Sequence, residues 1–161
     1  MAHDDKEEFP PLLQAGFHKK TMLELRQLCV DGFPQSVRRP KIMEGLDQVV
    51  WELSDLKLIA EVWVDGSFLT QKIEPDDSDV VVCIKEDFLK TATREQNIWL
   101  REFQKNRKGF KDKFYCDLYI HVEYDHATSE WMRAYWVRQY GFSRNNEMKG
   151  IVVITTPAES Q

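Results

Sequence analysis

The chain has no apolar run approaching the ~20 residues of a membrane-spanning helix, so no membrane partner is expected. It is also poor in cysteine. Cys29, Cys83 and Cys116 are odd in number and widely spaced, and build neither a disulfide framework nor a C-x-x-C metal site. Each lies among apolar residues and reads as a small buried hydrophobe, which fits a reducing cytoplasm. Positive charge is not in excess: the formal net charge is −5. That argues against a general nucleic-acid coat and leaves room for a local basic patch. No G-x-G-x-x-G and no G-K-[ST] is present, so neither a Rossmann nor a P-loop phosphate site is supported. Internal repeats and low-complexity tracts are absent, and the acidic start MAHDDKEEF does not read as a secretory signal.

What is present is enough for one core. The 161 residues are 42% hydrophobic and 12% aromatic, which suits a single domain over 9–161 behind a disordered stretch at 1–8. Phe9-Pro10-Pro11-Leu12-Leu13 is too stiff for a helix and should lie extended against the body. Thr21 and Glu24 have capping-box spacing and open a short helix ending near Gly32. Pro40 suits the first turn of a second helix, in which Ile42, Leu46, Val49, Val50 and Leu53 recur at helical spacing. Strands are expected at 58–64, 79–84, 113–122 and 150–155, with helices over about 85–107 and 129–140. In the last helix Trp131, Ala134, Tyr135 and Val137 form the apolar set, and the aromatics Trp131, Tyr135, Trp136 and Tyr140 read as core rather than as a base-stacking platform. The order favours an α/β fold with a small mixed β-sheet flanked by helices.

The informative stretch runs from Asp65-Gly66-Ser67 to Asp76-Asp77-Ser78-Asp79. Glycine lets a backbone approach a ligand closely, and a turn's amides with the Ser67 hydroxyl can hold phosphate oxygens. Asp77 and Asp79 are two apart, so an extended backbone points both to one face. Close carboxylates repel unless a cation sits between them, and Mg²⁺ takes hard oxygen ligands shared with phosphates. Asp117 interrupts an otherwise apolar-rich strand, where a charge is costly unless paired or bound to metal. Asp117, Tyr119 and His121 share one face of that strand. Asp65 reads as a turn residue, and His121 as a capping or surface histidine.

Gly66-Ser67, Asp77-x-Asp79 and Asp117 resemble the nucleotidyltransferase superfamily typified by polymerase beta and the minimal nucleotidyltransferases. The Phe-Pro-Pro-Leu start, Val64-Asp65-Gly66-Ser67-Phe68 and Lys149-Gly150-Ile151-Val152 are similar to small bacterial nucleotidyltransferase-like proteins, over about 9–155. The resemblance implies a nucleotidyltransferase-type fold and transfer of a nucleotidyl group from an NTP such as ATP to a hydroxyl, with pyrophosphate released. It implies that Gly66 and Ser67 cradle the triphosphate. Asp77 and Asp79 would hold two Mg²⁺ ions, with Mn²⁺ as a substitute. Asp117 would ligate one ion and help activate the acceptor, which is a protein, an RNA end or a small molecule. It also implies a protein partner supplying or being the acceptor, as in toxin–antitoxin or defence systems. Lys72, Arg144 and Lys149 are the basic residues placed to reach the triphosphate, and only Lys149 falls in a family-like segment. The chain departs from the superfamily at Asp76 and Ser78, where serine and an aliphatic residue are usual. It also lacks a basic residue close after the Gly-Ser turn. These departures motivate a second reading, an inactive module of the same fold that binds a nucleotide or a partner.

Lys105, Arg107, Lys108, Lys111 and Lys113 put five cations within nine residues. A solvated loop is one reading, and a surface for an anionic acceptor such as RNA is the other.

Overall fold

A computed structural model describes residues 7–123, 126–142 and 148–158. Most of the segment expected to be disordered (residues 1–6), and Arg144, lie outside the described residues. Among the described residues the strands are β1 (Gly16–Lys19), β2 (Ala60–Asp65), β3 (Ser78–Lys85), β4 (Cys116–Glu123) and β5 (Gly150–Thr156). They form one sheet in the order β1-β5-β2-β3-β4. β2 runs antiparallel to both β3 and β5, whereas the outer pairs β1–β5 and β3–β4 are parallel. The expected small mixed sheet flanked by helices is what the chain forms.

Among the described residues the α-helices are α1 (Met22–Arg26), α2 (Arg38–Asp55), α3 (Glu86–Lys90), α4 (Arg94–Lys105), α5 (Arg107–Phe114) and α6 (His126–Tyr140). α1 starts with the expected capping box: Glu24 N–H donates to Thr21 Oγ1 at 3.2 Å, and Thr21 N–H donates to Glu24 Oε2 at 2.9 Å. A π-helical turn, Gln27–Asp31, extends it to Gly32. α2 buries Ile42, Leu46, Val49, Val50 and Leu53, the stripe its spacing predicts. Pro40 is its third residue, where a missing N–H costs nothing.

The sheet separates two apolar layers. Val62, Val64, Val80, Val82, Leu118 and Val152 face the core that α2 and the helices beside it cover. Trp63, Val81, Cys83, Ile151 and Val153 face the other way, with Tyr119 and Trp136 of α6 against them. All three cysteines are free and buried, and loss of solvation raises each thiol well above its ordinary value.

Several expectations need correction. The 85–107 helix is two helices, broken at Thr91–Thr93, where Thr93 and Gln96 build a second capping box. The basic segment is no loop. Residues 107–114 are α5, and the strand expected from Lys113 starts at Cys116. Phe110 and Phe114, one turn apart, anchor α5 against Phe103 and the core. Two of the α6 aromatics read as core are exposed, Trp131 at 70% and Tyr135 at 45%, and the Tyr140 side chain lies outside those described. Trp136 is the side chain turned to the sheet, its ring 5.5 Å from Tyr119. β1 had no sequence signal, being four largely exposed residues. Phe9–Leu13 does lie extended against the body. Leu12 N–H donates to the Leu69 carbonyl and Gln71 N–H to that of Pro10.

Candidate functional site

β2 ends in Asp65, and the chain turns at Gly66 with φ 88° and ψ −164°. This backbone is open to glycine and strained for other residues. A Cβ here would also stand 2.6 Å from Asp79 Oδ2, so the turn is seated directly on the Asp79 carboxylate. A 3₁₀ turn, Ser67–Leu69, follows. Arg39, fully buried, locks what comes next. Its guanidinium donates to the carbonyls of Cys29, Phe68, Thr70 and Lys72 and lies 3.6 Å above the Phe33 ring. The fork of donors on a planar cation is suited to several carbonyls at once.

Strand register then aligns the acids. Asp65 pairs with Asp79 across β2–β3, and Asp79 with Asp117 across β3–β4. One row of carboxylates therefore crosses three adjacent strands, on the face that carries Trp63, Val81 and Tyr119. Asp77 stands just before β3. An open cleft of about 1250 Å³ spans this mouth, lined by Gly66, Ser67, Lys72, Asp76, Asp77, Asp79, Lys111, Asp117 and Lys149 on the acid side. Tyr119, Tyr135, Trp136 and Phe142 give it an aromatic side. Asp77, Asp79, Asp117, Gly66, Ser67, Lys72 and Lys149, singled out above, thus line one cleft.

Charge is arranged unevenly along the row. Asp65 is 2% exposed, and Lys149 Nζ stands 3.4 Å from its Oδ2. Burial pushes the Asp65 carboxyl up to about 8, against the pull of Lys149. Asp65 is thus a buried strand residue rather than a turn residue, and Lys149 is held by it. Asp117 Oδ1 accepts from Arg107 at 2.6 Å, with the guanidinium 3.5 Å above the Tyr119 ring. Lys111 Nζ pairs with Asp77 Oδ2 at 3.1 Å, and this hydrogen bond and charge raise the lysine above its ordinary value. Asp79 has no ion-pair partner among the described residues. Burial, then the charges of Asp77 and Asp117, raise it to about 6.

The departures from the superfamily pattern have local answers. Asp76 is paired with Arg38 at the exposed rim. Ser78 is buried, and its hydroxyl donates to Cys116 Sγ at 3.5 Å. Lys72 Nζ lies 5.9 Å from the centre of the Phe9 ring. His121 is buried at 4% exposure, not a surface or capping group.

Among the described residues no three His, Cys, Asp or Glu side chains stand together as a ready metal cage. Asp77 and Asp117 are each engaged by a cation. By donor chemistry the set nonetheless suits a hard divalent ion, since Asp77, Asp79 and Asp117 line the same cleft with carboxylate oxygens. Sequence reasoning missed Arg107 and Lys111 as partners of the acids, and Asp65 as a member of the row. Their i, i+4 spacing was visible, but only α5 brings the two cations to the acids.

A family model described as "Family of unknown function (DUF6932)" matches residues 6–155. No curated protein and no solved structure matches the chain.

Proposed function

We propose, for a chain that belongs to the family of unknown function DUF6932, a metal-dependent nucleotidyltransferase acting on an NTP and a hydroxyl acceptor. The observation that supports this reading best is the acid row ending in the same cleft as the Gly66-Ser67 turn. Asp77, Asp79 and Asp117 would hold the divalent ions, which stabilise the attacking and leaving oxygens of an in-line displacement. Gly66 and Ser67 would bring backbone amides and a hydroxyl to the phosphates. The acceptor oxygen forms a bond to the α-phosphorus as the bond to pyrophosphate breaks. The bonding electron pair leaves with pyrophosphate, and the hydroxyl proton passes to Asp117. The aromatic side of the cleft is where a base would lie. The acceptor would come from a protein partner, an RNA end or a small molecule.

A second reading is favoured by the pairing of Asp77 with Lys111 and Asp117 with Arg107. An acid set already neutralised by cations suits a module that binds a partner or nucleotide without turnover. Incubation with each α-labelled NTP, Mg²⁺ or Mn²⁺ and a host lysate separates the two. Label transferred to an acceptor, with pyrophosphate released and both lost in Asp79→Asn, supports the enzyme. Metal-dependent NTP binding with no transfer supports the module.

A further inference from the structure

We propose that Arg107 and Lys111 of α5 are the phosphate-binding cations of the cleft, parked on Asp117 and Asp77 until a divalent ion takes those acids. This rests on the metal-dependent reading above and goes on to name the residues that receive the phosphates. Four residues apart, the two side chains leave α5 on one face. Their carboxylate partners lie at 2.6 Å and 3.1 Å. Both cations are close to half exposed, 41% and 47%. Their acid partners are 23% and 24% exposed, so each cation keeps water on one side and can turn to another anion at the cleft.

The backbone that carries them is fixed. Phe110 and Phe114 are seated in the core layer, and Gly45 of α2 lies so close that a Cβ would meet the Phe114 carbonyl at 1.7 Å. Past its end, the Tyr115 carbonyl accepts from Ser78 N–H at 3.0 Å, tying α5 to the start of the acid-bearing β3. A rigid helix with two half-exposed cationic tips can hand those tips from one anion to another without moving itself.

Charge balance dictates the exchange. Asp79, without an ion-pair partner among the described residues, would with its neighbours hold the divalent ion, whose charge would repel the ammonium and guanidinium beside it. A metal-bound triphosphate brings at the same moment the anionic oxygens those cations need. Two divalent ions carry as much positive charge as a triphosphate carries negative, so the mouth keeps its net charge. Arg107, stacked on Tyr119, offers a planar fork for phosphate oxygens, and Lys111 a point charge at the cleft lining. The neighbouring cation Lys108 is exposed and pairs with none of these acids among the described residues.

The test uses the full chain with two readouts that move in opposite directions. Mn²⁺ alone is titrated into the parent, Arg107→Gln, Lys111→Gln and Lys108→Gln, followed by electron paramagnetic resonance. A non-hydrolysable ATP analogue with Mg²⁺ is then titrated by calorimetry. The Arg107 and Lys111 variants should bind Mn²⁺ severalfold more tightly, having lost a competing cation, and the triphosphate roughly tenfold more weakly. Lys108→Gln should change neither, and Lys111→Arg should restore triphosphate binding. A parent that binds both probes, with Gln variants that leave triphosphate affinity unchanged or weaken Mn²⁺ binding, overturns the exchange and leaves the enzyme reading standing. A parent that binds no Mn²⁺ overturns both.

Discussion

Asp65 and Asp79 face each other across the β2–β3 ladder, two carboxyls in one registered pair. Like charges directly opposite destabilise a sheet, and burial adds to this. Asp65 rises to about 8 and Asp79 to about 6 from the ordinary 3.8. The row is tolerated because part of it is protonated at neutral pH and Lys149 stands beside its innermost member.

This fixes a pH dependence for the metal-free protein. A carboxyl raised on folding contributes stability that is complete below its unfolded pKa and is lost as pH rises through its folded pKa. Asp79 should therefore lower stability from about pH 4 to about 6, and Asp65 from about pH 4 to about 8. Urea denaturation across this range should show the decline, and Asp65→Asn should flatten its upper part. Stability rising between pH 6 and 8 would show that Lys149 keeps Asp65 ionised.

Removing charge from Asp79 separates its two roles. Without metal, Asp79→Asn relieves repulsion from Asp77 and Asp117, so stability should hold or rise by up to about 1 kcal/mol. Asp77→Asn instead leaves the half-exposed Lys111 without its carboxylate, a loss of about 1 kcal/mol. Both variants should lose the upward shift in melting temperature that Mg²⁺ with NTP gives the parent by mass action. Equal ligand shifts in parent and variants would make these acids structural groups only.

The legible parts of this chain are those whose signal is local. The α2 stripe and the Thr21–Glu24 cap follow from spacing alone. Asp117 stood out because a charge in an apolar strand demands a partner. The hidden parts depend on register or on distant residues. Asp65-Gly66 looks like a turn until β3 aligns Asp79 with it and Lys149 arrives from the approach to β5. α5 is short and rich in lysine, with Gly109 inside it, so Phe110 and Phe114 were its only visible signal. α6 carries aromatics on more than one side, and Trp131 and Trp136 could not be told apart by period.

Gly66→Ala tests the seat of the turn on the acid. The positive φ costs a non-glycine residue about 1–3 kcal/mol. The added Cβ must also displace the Asp79 carboxylate, 2.6 Å away, or the Asp79 backbone nitrogen at 3.1 Å. Denaturation should show a loss in that range, together with loss of metal-dependent NTP binding. Ser67→Ala at the next position should stay within about 0.5 kcal/mol, as surface changes usually do, while weakening NTP binding.

Arg39 offers the sharpest contrast with its neighbour in sequence. Arg39 is fully buried and satisfies carbonyls at Cys29, Phe68, Thr70 and Lys72, whereas Arg38 makes an exposed pair with Asp76. Arg39→Met leaves several buried acceptors without donors, each costing about 1–3 kcal/mol. The total loss should be on the order of 3 kcal/mol or more. Arg38→Met should cost under about 1 kcal/mol. Arg39→Lys keeps the charge but not the fork, so it cannot reach all four carbonyls. It should fold with reduced stability and a loosened segment after Ser67. Hydrogen exchange at Leu69 and Thr70, whose amides donate to Gly66 and Ser67, reads that loosening directly. Faster exchange there with the β3 amides still protected would show that Arg39 fixes the turn after Gly66. Protection unchanged at both residues would reduce Arg39 to a packing group.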